Sequence, residues 1–129
     1  MSIRRIAVAF GLILAATGIA LAQSIDDFDA WMRTIDEKNQ SVQQNIGRKD
    51  AKAVTADAAV LRNTFELVEG FWSKRADGSD AVALAREAQA RAANVTAAVA
   101  AADFDAAASQ AIKVAETCTT CHRLHRPLE

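Results

Sequence analysis

Residues 54–72 read VTADAAVLRNTFELVEGFW, and this stretch decides the fold. Its apolar residues recur at alternating four- and three-residue steps, at Val54, Ala58, Leu61, Phe65, Val68 and Trp72. That spacing places them on one face of an α-helix, because the helix turns once in about 3.6 residues. Asp50 is in place to cap the helix N-terminus. The stretch therefore predicts one amphipathic helix from about Ala51 to Lys74, with a continuous buried stripe.

A segment before this stretch shows the same period. It runs from about Ile25 to Ile46, with Ser24 placed to cap its start and Gly47 placed to end it. Its apolar face is Phe28, Met32, Ile35, Asn39, Val42 and Ile46, with Asn39 as the polar interruption. This segment predicts a first helix.

Two segments after the stretch complete the pattern. A break at 76–79 precedes a third helix from Asp80 to Ala102, whose face is Ala81, Ala85, Ala88, Ala92, Val95 and Val99. Asp103 caps a fourth, whose face is Ala107, Ala111, Val114, Cys118, Cys121 and His125. With no strand signal, the expected fold is all-α, an antiparallel up-down four-helix bundle. Because the last two faces are mostly alanine and valine, we expect part of the core to be supplied by something other than polypeptide.

The composition limits the classes of function that the chain can have. The 129 residues are 51% apolar and 24% charged, which suits one folded domain. The net charge of -1 and the lack of a basic run give no electrostatic footprint for nucleic acid. We therefore expect no nucleic-acid partner.

The N-terminus has the layout of a secretory signal peptide. Arg4 and Arg5 precede an uncharged run from residue 6 to residue 21, and Ala20-Leu21-Ala22 offers a small-residue cleavage site. The alternative is a membrane anchor, but the run is shorter than the roughly 20 residues of a usual span. We expect a signal peptide over 1–22 and a periplasmic, non-membrane domain over 23–129. The signal holds two of the 15 basic residues and no acidic residue, so the mature charge is -3.

Residues 118–122 read CTTCH, which is the attachment pattern of c-type haem. Cys118 and Cys121, one helical turn apart, can add to the two vinyl groups of a haem, and His122 then lies beneath the iron as proximal ligand. Attachment occurs outside the cytoplasm, which agrees with the export signal.

Three other interpretations fit these residues less well. A disulfide between Cys118 and Cys121 has poor geometry within one regular helix. A dithiol redox motif usually lies at a helix N-terminus, whereas this pair lies near a C-terminus. Four zinc ligands from Cys118, Cys121, His122 and His125 cannot surround one tetrahedral ion without breaking the helix. The motif therefore favours covalent haem c.

An exported helical bundle with this motif at its C-terminus resembles the cytochrome c-prime and cytochrome c-556 family, over roughly Ser24 to Arg126. The arginine four residues after His122 is the more specific part of the resemblance. It implies that Arg126 lies beside the proximal face of the haem, as a partner of a propionate or of the groups around the proximal histidine. An ordinary surface arginine at the end of the chain is the alternative. The chain departs from the family at two points. It has His125 where the family commonly has an aromatic residue, and it lacks the Pro-x-x-Trp element that often precedes the third helix. Phe71 and Trp72 can supply the same packing at the haem edge.

The resemblance also implies that the first helix supplies the sixth position of the iron. Met32 is the only methionine left after signal cleavage, and it lies on the apolar face of that helix. A lone methionine on such a face is also an ordinary core residue. His125 is expected not to oppose His122, because both lie on the same side of one helix.

Two functions from different classes follow. The first is an electron carrier that has His122 and Met32 as axial ligands and exchanges electrons with redox partner proteins. We do not expect an enzyme, because the sequence offers no nucleophile with a neighbouring base. The second is a five-coordinate protein that binds nitric oxide or carbon monoxide. A haem-free helical interaction module is a third class, and haem that stays on the periplasmic protein through SDS denaturation would exclude it. The family also forms dimers through its first two helices, so the resemblance allows a homodimer.

Overall fold

A computed structural model describes residues 24–125, which form four α-helices. They are α1 (Ile25–Gly47), α2 (Ala51–Ser73), α3 (Ser79–Ala100) and α4 (Phe104–Leu124). Each helix packs on the next, and α1 also contacts α4. Because the connections 48–50, 74–78 and 101–103 are short, consecutive helices run antiparallel. The predicted all-helical bundle is confirmed, while the predicted signal peptide at 1–22 lies outside the described residues.

The apolar stripes on α2 and α3 are buried throughout, as their spacing predicts. The stripes on α1 and α4 are buried only in part. On α1, Ile35 and the residues after it at Val42 and Ile46 are covered, whereas Phe28 and Met32 are half-buried. On α4 the covered positions are Ala107, Ala111 and Val114, and the half-buried ones are Cys118, Cys121 and His125. The core is therefore closed at one end of the bundle and open where the start of α1 faces the end of α4.

Side-chain caps begin three of the helices. Ser24 accepts from the backbone N–H of Asp27, whose carboxylate in turn accepts from the N–H of Ser24, which is a capping box. Asp50 and Asp103 accept from the third backbone N–H beyond them at 3.0 and 2.9 Å. These three predicted caps are confirmed. Helix α3 begins one residue earlier than predicted, at Ser79, without a side-chain cap.

The end of α1 differs from the prediction. Gly47 lies inside the last turn, and Lys49 has the left-handed conformation instead, with φ of 56°. The N–H of Lys49 donates to the carbonyl of Ile46, and the N–H of Asp50 donates to that of Asn45, at 2.9 and 3.0 Å. This is a Schellman motif, which satisfies carbonyls of the last helical turn. Helix α3 ends in the same way, with Ala102 at φ of 56°.

Gly78 precedes α3 and packs against the end of α2. A Cβ atom at this position would overlap the backbone carbonyl of Trp72. The constraint is steric, because φ of Gly78 is -95°. Glycine is therefore required here by the close approach of two backbones.

Among residues 24–125, no helix combines the length and the apolar character needed to cross a membrane.

A half-buried polar cluster joins α1 to α2. The carboxylate of Asp57 accepts from Ser41 Oγ at 2.6 Å and from Asn45 Nδ2 at 3.0 Å, and Lys38 Nζ lies 3.4 Å away. The hydrogen bond and charge of Asp57 raise the pKa of Lys38 above its ordinary value. The side chain of Asp57 is 13% exposed, so the loss of its carboxylate would leave partly buried donors unpaired.

We expect Asp57→Ala to lower the free energy of unfolding by about 1–3 kcal/mol, because three donors lose their acceptor. Urea unfolding of the full chain, followed by circular dichroism, measures the change. Asp77→Ala, at an exposed position of the α2–α3 connection, is the matched control and should stay near wild type. Equal stability of the two variants would contradict a stabilising role for the cluster.

Candidate cofactor site

A cavity of about 430 Å³ lies at the open end of the bundle. Residues of all four helices line it, and α1 and α4 form its facing walls. Its volume lies within the roughly 300–1,000 Å³ of small-molecule and cofactor sites. The incomplete burial of the α1 and α4 stripes therefore has a local cause, since both faces border this cavity.

The structure brings four of the sequence-predicted site residues to this one cavity. Cys118, Cys121 and His122 line it from α4, and Met32 lines it from α1. The two cysteines are free thiols and half-buried. His122 is exposed although it lines the cavity, so solvent reaches the site on that side. The fifth residue, Arg126, lies outside the described residues.

Burial changes the acidity of both thiols. It raises the pKa of Cys118 to about 11, with a smaller contribution from the neighbouring Cys121. Burial also raises the pKa of Cys121, and the nearby charge of Asp80 adds to the effect. Both thiols are therefore protonated at neutral pH. This is the reverse of the low-pKa thiolate on which dithiol redox catalysis depends.

His125 closes one end of the cavity. Its Nε2 lies 2.8 Å from Asp80 Oδ1 on α3, and its ring centroid lies 4.4 Å from that of Trp72 on α2. The hydrogen bond to His125 holds the pKa of Asp80 below its usual range. These contacts tie the end of α4 to α2 and α3. No local sequence pattern indicates this pairing, because 45 residues separate the two side chains.

Two buried polar atoms at the cavity have no hydrogen-bond partner among the described residues. They are Nε1 of Trp72 and Oδ1 of Asn39, and both residues line the cavity. Most buried polar groups in folded proteins are paired, so each of these atoms needs an explanation. The Oδ1 of Asn39 needs a donor, which haem does not carry, whereas the Trp72 N–H is explained by an occupant that is largely apolar but has hydrogen-bond acceptors at its periphery. Haem fits this description, and its vinyl groups and iron fit the thiol and imidazole donors beside them.

Within residues 24–125, no group of three or more His, Cys, Asp or Glu side chains is placed to hold a metal ion.

Comparison with protein-family models, with curated proteins and with solved structures found no match to this chain.

Proposed function

We propose that the chain is a periplasmic c-type cytochrome with one haem, which carries electrons between redox partner proteins. The observation that carries the proposal is the composition of the cavity. Both cysteines and the histidine of the CTTCH motif line it together with Met32, the methionine that remains after residue 22. Two helices that are far apart in sequence thus contribute the residues that a His/Met haem site requires.

Each residue has a distinct role in the proposal. Cys118 and Cys121 would hold the haem covalently through their sulfur atoms. His122 would bind the iron through its imidazole, and Met32 would bind it through the thioether sulfur from the facing helix. Bound haem supplies an iron that accepts and returns one electron without any change in covalent bonds.

The remaining lining residues limit the access of water. Phe65, Val68 and Ala85 are buried and form an apolar back wall on α2 and α3. An apolar wall disfavours the more highly charged ferric state, and methionine ligation acts in the same direction. Both features favour a carrier of relatively high potential. Arg126 is proposed as a propionate partner on the basis of the family resemblance.

The acidic surface of α1 suits transient docking. Asp26 and Asp27 are exposed at its start, and Asp29 and Asp36 border the cavity itself. Such a surface attracts a positively charged partner at low ionic strength. The proposed partner is therefore a basic redox protein that docks at the cavity entrance.

A five-coordinate, gas-binding protein is the second candidate. The observation that favours it is the apolar pair Phe28 and Ile35, which line the cavity on either side of Met32. Side chains of this kind can cover an open sixth position without binding the iron. In that case Met32 is a core residue, and nitric oxide or carbon monoxide is the ligand.

The test of the proposed function is expression of the whole chain in a bacterium with a cytochrome c maturation system. The periplasmic fraction should contain a polypeptide that begins at Gln23 and has gained the mass of one haem. The haem should remain on the chain after SDS denaturation. A colourless periplasmic product would contradict the proposal, and a cytoplasmic product that retains residues 1–22 would contradict the location.

A further inference from the structure

The indole N–H of Trp72 is a buried donor without an acceptor. The side chain is 4% exposed, and its Nε1 has no partner among residues 24–125. Indole nitrogen can only donate. Trp72 lines the cavity, so an occupant of the cavity would lie beside the indole.

Aromatic neighbours fix the orientation of the indole. Its ring makes edge contacts with Phe28 and Phe71, with centroids 6.1 and 5.5 Å apart. His125 packs against it at 4.4 Å and is itself held by Asp80. These contacts restrict rotation of the indole, so the N–H has one fixed direction. The acceptor has to be placed where the N–H already points.

The chemistry of the proposed occupant limits what the acceptor can be. In haem attached through Cys118 and Cys121, the pyrrole nitrogens bind iron, the vinyl groups have become thioethers, and the methyl groups are apolar. The two propionate carboxylates are the acceptors that remain. A positive charge also lies beside the indole, because Arg75 Cζ is 3.8 Å from the ring centroid of Phe71 and 6.0 Å from that of Trp72. A cation near the indole favours the ionised form of a carboxylate that binds there.

We propose that the Trp72 indole N–H donates a hydrogen bond to a propionate carboxylate of the bound haem, and that this contact orients the macrocycle within the cavity. The inference rests on the proposed function. It makes Trp72 a positioning residue, and it directs the propionate edge toward the end of the bundle where α2 meets α3.

The direct test is nuclear magnetic resonance of the ferrous holoprotein with ¹⁵N-labelled tryptophan, with carbon monoxide added if the sixth position is open. Trp31 and Trp72 give the two indole N–H signals of the mature chain, and Trp31→Phe assigns them. The Trp72 proton should lie downfield, as expected for a bond to a carboxylate, and its shift should follow a single titration between pH 4 and 8. The half-buried Trp31 is the internal control.

Trp72→Phe keeps an aromatic ring but removes the donor. Its midpoint potential should be lower than that of wild type, because a less neutralised carboxylate stabilises ferric iron. The titration seen in a plot of potential against pH should move up by about 0.5–1 unit, since the ionised propionate loses its donor. Trp31→Phe should change neither quantity. If Trp72→Phe fails to fold, the wild-type spectrum alone decides.

The outcomes separate the two proposals. In a haem-containing protein, a Trp72 indole signal at the shift of an unbonded N–H, or one that does not change with pH, overturns the propionate contact but not the proposed cytochrome function. A midpoint potential of Trp72→Phe equal to that of Trp31→Phe has the same consequence. A purified protein without covalent haem overturns both.

Discussion

Replacement of Met32 with leucine is expected to convert the ferric protein from a low-spin to a high-spin spectrum, with loss of the weak far-red band that methionine gives on ferric haem c. Leucine is close to methionine in volume, so the cavity wall is retained while the sulfur ligand is lost. The midpoint potential should fall, because methionine favours the ferrous state. Optical and electron paramagnetic resonance spectra of the purified holoprotein measure the change.

The same substitution should open the iron to external ligands. If Met32 occupies the sixth position in at least nine of ten molecules, its removal raises the apparent affinity for carbon monoxide by about tenfold or more. Leu84→Ala is the matched control, since Leu84 lines the cavity from α3 and carries no ligating atom. A wild-type protein that is already high-spin, with a spectrum that Met32→Leu leaves unchanged, would favour the gas-binding candidate.

The double substitution Cys118→Ala and Cys121→Ala is expected to remove covalent haem and, with it, the compact native state. An unfilled cavity of about 430 Å³ costs up to about 10 kcal/mol at about 24 cal/mol per Å³. This cost is an upper bound, because solvent reaches the cavity beside His122. It is nevertheless as large as the total stability of an ordinary domain, about 5–15 kcal/mol.

Near-ultraviolet circular dichroism and thermal unfolding measure this loss. The variant should retain much of its helical signal but lose fixed tertiary packing and cooperative unfolding, which is the behaviour of a molten globule. Thr120→Ala, within the motif but without a thiol, is the control and should keep haem and stability. Cooperative unfolding of the cysteine variant at the wild-type temperature would show that the polypeptide fills its own core.

Regular spacing of apolar residues predicted the helices and their buried faces well where polypeptide covers polypeptide. The stripe from Val54 to Trp72 and the alanine-rich stripe of α3 are buried at every predicted position. The same spacing could not show that Phe28, Met32 and Cys118 are only half covered. Periodicity defines which face of a helix turns inward, and it carries no information about whether another helix or a cavity lies opposite.

The helix ends and the long-range contacts could not be predicted from the sequence. Gly47 suggested the end of α1, but Lys49 adopts the left-handed conformation two residues later. The position of a glycine does not predict the helix end when the hydrogen bonds of a Schellman motif hold another residue in the left-handed conformation. The His125–Asp80 pair joins the end of α4 to α3 at one end of the cavity, and no local pattern encodes it.

Gly78 gives the α2–α3 connection influence over a site that it does not line. Any side chain at this position would press on the carbonyl of Trp72 and displace the end of α2. The indole that forms part of the cavity wall would move with it. Substitutions in the α2–α3 connection can therefore alter the candidate cofactor site from a distance, because the lack of a side chain at Gly78 determines how closely α3 approaches the end of α2.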